Sequence, residues 1–412
     1  MADLPCPVCG GVSLSSPLRI ENAPAHTVVV HKTAHSAQAA PVGTIDLSAC
    51  NACGFVFNSA FDASRLHYTH DYEATQAFSP TFNAFHEALA ADIAQSASAN
   101  EGVVLEIGCG QGEFLALLEG AGCGGGIGFD PAFDPARSGL PDGSSVDIRA
   151  TGFDPTSPLP TISAIVCKMT LEHIADPITL LSQMAALSRK NSACPVYIMV
   201  PNGEDVFVRR AFWDVYYEHC NYFTRASLKQ VMKSAGLPVV DTKTVYSNQY
   251  LLCRGQALEG EIQAIENRQP MPPNDLNGLG SELSRFHQFQ SDVETMRDFW
   301  QGQLKDWADQ GERIVLWGGG SKAVGFLTLM GFGPRSGSGP GPDDPIVGLI
   351  DINPRKRNSF LPASAKKVVL PSDWQHLSPT RIVLMNRAYL GEVAGLCAEN
   401  GLNVPIECVD AR

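Results

Sequence analysis

A short apolar run that ends in glycines and opens a helix constrains this chain more than any other feature. Val103-Val104-Leu105-Glu106-Ile107 is followed directly by Gly108-Cys109-Gly110-Gln111-Gly112 and then by the helix-forming Glu113-Phe114-Leu115. Glycines at this point let the backbone turn sharply and approach a ligand closely. The pattern is E-x-G-x-G-x-G. Its last glycine falls one position earlier than in the G-x-G-x-x-G loop that cradles a dinucleotide pyrophosphate. About twenty residues on, Gly126-Ile127-Gly128-Phe129-Asp130 places an acid at the end of the next apolar run, where a bidentate carboxylate is expected to accept two neighbouring hydroxyls.

The runs Ala164–Cys167 and Val196–Val200 repeat the strand signature between helical stretches, so a doubly wound α/β sheet is expected. A long amphipathic helix is expected over 281–310, and beyond it Arg313–Trp317, Ile346–Ile350 and Arg381–Leu384 predict a second, smaller α/β unit. The stretch Arg335–Pro342, rich in Gly, Ser and Pro, is expected to be a surface loop. Three units follow: residues 1–75, 76–260 and 261–412.

The first unit is punctuated by Cys6-Pro7-Val8-Cys9-Gly10 and Cys50-Asn51-Ala52-Cys53-Gly54. Two C-x-x-C-G knuckles turn four soft thiolates toward one point, a donor set that suits Zn²⁺ in a closed structural site. About 40 residues separate the knuckles, and His26, His31 and His35 in that insert are expected at the surface. Twelve cysteines in a chain with no basic-then-apolar leader read as metal ligands and buried thiols, and a cytoplasmic protein is expected. No apolar run reaches the roughly 18 residues of a membrane span. The balance of 30 basic against 43 acidic residues, −13 overall, opposes a phosphate-tracking surface, so nucleic acid is not an expected partner.

The glycine loop and the acid of the second strand resemble a class I methyltransferase that uses S-adenosylmethionine (SAM). With the cysteine knuckles and the second α/β unit, the whole chain resembles the three-part sugar C-methyltransferase family. That resemblance implies a zinc-binding N-terminal domain, a SAM-dependent methyltransferase domain and a C-terminal Rossmann-like domain that helps bind a nucleotide-linked 4-keto-deoxysugar. It places Glu106, Gly108, Gly110, Gly112, Asp130 and Lys168 at the cofactor, and permits a monomer.

Two segments carry the chemistry the resemblance implies. Tyr216-Tyr217-Glu218-His219-Cys220-Asn221-Tyr222-Phe223-Thr224 matches the family's Y-E-H-x-x-Y-F-[ST] segment, and Leu171-Glu172-His173-Ile174 its L-E-H-I. His219 is the expected general base at the carbon beside the ketone, because carbon is not nucleophilic until deprotonated and imidazole titrates near neutrality. Glu218 is expected to orient His219 or hold a substrate hydroxyl. Tyr216 and His173 are expected to stabilise the enolate oxygen. Tyr68 and Tyr72 fall where the family has an aromatic lid. Leu316-Trp317-Gly318-Gly319-Gly320-Ser321-Lys322 and Ile350-Asp351-Ile352-Asn353 resemble the family's C-terminal motifs with departures that leave the substrate open. Lys322 beside a helix N-terminus is a candidate phosphate site.

Two other functions compete. One is an O- or N-methyltransferase acting on another small molecule. The other is an NAD-dependent oxidoreductase using Gly318–Gly320 and Asp351, which the gap of over 30 residues between glycines and acid disfavours.

Overall fold

The computed structural model describes residues 4–97, 100–138, 140–257, 276–332 and 344–410. The stretch Arg335–Pro342 expected as a loop lies outside them. No helix among the described residues is long and apolar enough to cross a membrane.

The N-terminal unit is a small antiparallel sheet of β1 (Leu18–Pro24), β2 (Val42–Ala49) and β3 (Val56–Asn58). Its fourth strand comes from far along the chain: Val56 pairs with Tyr222 and Phe57 with Asn221. The sequence division at residue 75 is therefore crossed by a shared sheet, next to His219.

The central sheet holds β4 (Val103–Ile107), β5 (Gly126–Phe129), β6 (Val146–Arg149), β7 (Ile162–Lys168) and β8 (Val196–Pro201), all parallel. The two-residue strand β9 is Asn221–Tyr222, and β10 (Val239–Val245) and β11 (Tyr250–Gly255) form a hairpin that closes the far edge. The sheet order is β10-β11-β8-β7-β4-β5-β6, with β11 antiparallel to β8. The three runs predicted as buried parallel strands are central here. Both of their faces are packed, Leu105, Ile165 and Ile198 in one core and Val104, Val166 and Met199 in another, which explains why they are apolar throughout rather than alternating.

The helix expected over 281–310 spans Leu276–Asp309. Phe286, Phe289, Val293, Met296, Trp300, Leu304 and Trp307 recur at steps of three and four, and each is at most 5 % exposed. This stripe joins one core with Ile45 and Leu47 of β2, Phe212 and Trp213 of the central unit, and Phe326 and Leu349 of the C-terminal unit. One hydrophobic core thus spans all three units.

The C-terminal unit has an all-parallel sheet of β12 (Ile314–Trp317), β13 (Ile346–Ile350), β14 (Val368–Val369), β15 (Arg381–Leu384) and β16 (Ile406–Cys408), in the order β14-β13-β12-β15-β16. The helix Ser321–Leu329 lies on the backbone at Trp213: a Cβ on Gly325 would stand 2.6 Å from the Trp213 carbonyl oxygen. In both α/β units the strand order reverses, between β4 and β7 and between β12 and β15. Ligands bind open α/β sheets at the carboxyl ends of strands at such switch points. The two switch points face one cavity.

Candidate active site

That cavity encloses about 830 Å³ and takes lining residues from all three units. On the side of the first switch point, the N–H of Gly108 donates to the Phe129 carbonyl at 2.8 Å and that of Gly110 to Asp130 Oδ2 at 2.9 Å. The loop thereby folds back onto the end of β5. Gly108 has φ +75°, and an added Cβ would meet Thr170 Cγ2 at 2.7 Å, so glycine is required on both counts. Gly108 and Gly110 line the cavity, whereas Gly112 caps the helix Glu113–Gly120 behind them.

Asp130 lines the cavity, but not with a free carboxylate. Oδ2 accepts the Gly110 N–H and Oδ1 accepts the Ala132 N–H at 2.8 Å. One lone pair on each oxygen is engaged by the loop, and one on each remains. Glu106 sits behind the loop, fully buried and outside the cavity lining. Neither carboxylate oxygen has a hydrogen-bond partner, and Lys168 Nζ is 3.9 Å away. Burial raises its carboxyl to about 7 against the opposing pull of Lys168. Lys168 itself reaches the cavity and lies over the Phe114 ring, 5.0 Å from its centroid.

Deeper in, His219 packs edge-on against Tyr216 and His173, with ring centroids 4.6 Å and 4.7 Å apart. Burial, and after it His173, hold the imidazole well below its usual pKa, so it is neutral at physiological pH. No hydrogen bond to the His219 ring is formed among the described residues. His173 is fixed by the Tyr68 hydroxyl, 3.1 Å from Nδ1.

Two expectations about its neighbours are corrected. Glu218 does not orient His219 or face a substrate. Its carboxylate accepts from His26 Nδ1 at 3.1 Å, the Thr27 N–H at 2.9 Å, the Thr27 hydroxyl, and Tyr72 Oη at 3.1 Å. The His67 N–H donates to His26 Nε2 at 2.9 Å, which leaves the proton on Nδ1 to point at Glu218. Burial alone would raise the Glu218 carboxyl; the His26 bond, the neighbouring imidazoles and Thr27 outweigh it and bring it down to about 2. Tyr216 gives its hydroxyl proton to Asp214 Oδ1 at 2.6 Å, the same oxygen that pairs with Lys322. The single hydroxyl proton of Tyr216 is therefore not free for an enolate oxygen without breaking that bond, whereas Lys322 has further N–H donors beyond the one held by Asp214.

His26, expected at the surface, is instead part-buried between Tyr68 and Tyr72, with centroids 4.9 Å and 5.5 Å away. No local pattern signals this contact, because its partner Glu218 is 192 positions distant. Nothing beside Thr27 in the sequence marks it either, since it too meets Glu218, 191 positions away. At the second switch point, Asp351 accepts the N–H groups of Gly319 and Asn353, both at 2.8 Å, and Lys356 Nζ lies at 3.2 Å. The acid required by the oxidoreductase alternative is tied to its own loop.

Away from the cavity, the four knuckle cysteines converge as expected, their sulfurs all within 4.8 Å of one another. The two knuckles are built alike: Gly10 N–H donates to the Cys6 carbonyl and Gly54 N–H to the Cys50 carbonyl, both at 2.8 Å. All twelve cysteines are free thiols.

Residues 82–242 match the family described as a methyltransferase domain. Curated proteins give no match by sequence. Solved structures similar to the chain include a 1,6-didemethyltoxoflavin-N1-methyltransferase from Burkholderia thailandensis with bound S-adenosylhomocysteine, at 17% identity over 50% of this chain and 96% of that one, TM-score 0.34. A magnesium protoporphyrin IX methyltransferase from Synechocystis PCC 6803 is 15% identical over 43% and 86% of the two chains, TM-score 0.33. An N,N-8-amino-8-demethyl-D-riboflavin dimethyltransferase from Streptomyces davawensis is 22% identical over 43% and 57%, TM-score 0.32. Residues 82–242 therefore carry a methyltransferase domain, built on the doubly wound α/β sheet.

Proposed function

We propose that this methyltransferase transfers a methyl group from SAM to the carbon beside the ketone of a nucleotide-linked 4-keto-deoxysugar, with His219 as the base. One observation carries the proposal. A neutral imidazole with no hydrogen-bond partner among the described residues lines the same cavity as the glycine loop and the second switch point, and that cavity is walled by all three units. Transfer to oxygen or nitrogen often needs positioning alone, whereas transfer to carbon needs a proton acceptor at this place.

The residues present fit SAM. The loop of Gly108 and Gly110 opens onto the cavity, since a Cβ on Gly110 would find only Glu113 Oε2, at 3.8 Å. Asp130 keeps a lone pair on each oxygen for ribose hydroxyls, and Lys168 stands where a carboxylate could be met. Gly112 and Glu106 support the loop from behind. Bound there, SAM supplies an electrophilic methyl on a sulfonium.

His219 takes the proton from the substrate carbon. Glu218 is held ionised by its four donors and favours the imidazolium that results. The anionic nucleotide entering the same cavity raises the basicity of His219 further. His173, steadied by Tyr68, is the side chain left to meet the enolate oxygen. Tyr68 and Tyr72 cover the site from the N-terminal unit. The four cysteines fit Zn²⁺ in a closed site with no open position, so the metal would hold the N-terminal fold and take no part in the chemistry. We assign residues 1–75 to a zinc-binding domain, 76–260 to the methyltransferase domain and 261–412 to a Rossmann-like domain that receives the nucleotide.

The test is mass spectrometry after incubation with SAM and a panel of nucleotide 4-keto-deoxysugars. A product heavier by one methyl, absent with His219→Asn although SAM still binds, is expected. Tight SAM binding with no product from any keto-sugar would sink the sugar assignment and leave the methyltransferase standing.

A further inference from the structure

The second knot of metal-ligating groups lies on the cavity wall itself. Glu172 is 1 % exposed, and both of its carboxylate oxygens are buried with no hydrogen-bond partner. One ligand atom each from Glu172, His173 and His219 lies within 4.8 Å of the other two, and all three residues line the cavity. Buried carboxylates are ordinarily paired or hydrogen-bonded, because an unpartnered one forfeits its solvation. The cationic influence on this one is Lys168, which forms no hydrogen bond or ion pair with it.

We propose that Glu172, His173 and His219 hold a divalent transition-metal ion on the wall of the active cavity, with its remaining positions open to the cavity. Two imidazoles and one carboxylate suit zinc or cobalt and not magnesium or calcium, which demand oxygen. Tyr68 Oη, 3.1 Å from His173 Nδ1, is the kind of outer partner that orients a ligating ring. The site is distinct from the cysteine site, which is built of thiolates in the N-terminal unit. The ion occupies the lone pair of His219 that proton abstraction needs, so the metal-loaded enzyme is switched off for that step. That consequence rests on the base reading; the site does not.

The experiment uses the full chain with the cysteine site first filled by Zn²⁺. Co²⁺ is then titrated in and visible d–d absorption followed. Saturable bands at one cobalt per chain are expected, without the thiolate charge-transfer absorption that exchange at the cysteines would give. Glu172→Gln is expected to weaken binding at least tenfold, and His219→Asn likewise, with circular dichroism confirming that both variants fold. No new bands in the zinc-loaded wild type, or superimposable titrations for all three proteins, would overturn the proposal. Methyl transfer is measured in parallel. If cobalt binds and transfer falls in step, site and base reading both stand; if it binds while transfer is unchanged, the site stands and the base role of His219 fails.

Discussion

Glu106→Gln offers a quantitative check on how the glycine loop is supported. The wild-type carboxyl is fully buried, has no hydrogen-bond partner and meets only Lys168, 3.9 Å away, so burial wins and its value rises from 4.5 to about 7. A carboxyl raised in the folded state binds its proton more tightly there than in the unfolded chain. Its stabilising contribution is therefore complete below pH 4.5 and is lost as pH rises through about 7. A shift of this size is worth about 3 kcal/mol at 1.36 kcal/mol per pH unit, as an upper bound. Glutamine has the same shape and no proton to lose. Urea unfolding of both proteins at pH 5 and pH 8 cancels every other titration, and the wild type is expected to lose about 2.5 kcal/mol more than the variant across that interval. Parallel losses would mean that Glu106 is solvated or paired, and would refute the account of the loop's support.

Gly108→Ala is expected to weaken SAM binding at least tenfold by calorimetry, since it combines φ +75° with a Cβ 2.7 Å from Thr170 Cγ2. Glu218→Gln replaces an acceptor of four donors with a group that accepts at one atom only, and is expected to cost about 2–3 kcal/mol in urea unfolding. Cys6→Ser with Cys50→Ser is expected to remove one equivalent of zinc by atomic emission, and a strong chelator is expected to lower the melting temperature of the wild type but not of that variant.

What could be read from the sequence was what neighbouring residues decide among themselves. The run Val103–Ile107, its glycines and the apolar stripe of Leu276–Asp309 announce themselves through spacing, as do the C-x-x-C-G knuckles. What could not be read depends on chain segments that meet only in the fold. Phe57 pairs with Asn221, and His26 reaches Glu218 across 192 positions, so nothing beside either residue betrays the contact. Glu218 is expected to orient His219 or hold a substrate hydroxyl, yet consecutive side chains diverge and the acid turns to His26, Thr27 and Tyr72. Glu172 went unremarked beside His173 for a related reason: an acid inside Leu171–Ile174 gives no hint that both its oxygens end unpartnered. Tyr216 packs against His219 on the cavity wall, yet Asp214, two residues earlier, takes its hydroxyl proton.

The central claim is that His219 removes a proton from carbon. It is tested most directly by incubating the enzyme with a nucleotide 4-keto-deoxysugar in deuterated buffer, with S-adenosylhomocysteine in the cofactor site and no methyl to transfer. Deuterium entering beside the ketone with the wild-type enzyme, and at least a hundredfold more slowly with His219→Asn, is the predicted result. Equal rates of exchange in the two proteins, or none in the wild type while SAM still yields a methylated product, would contradict it.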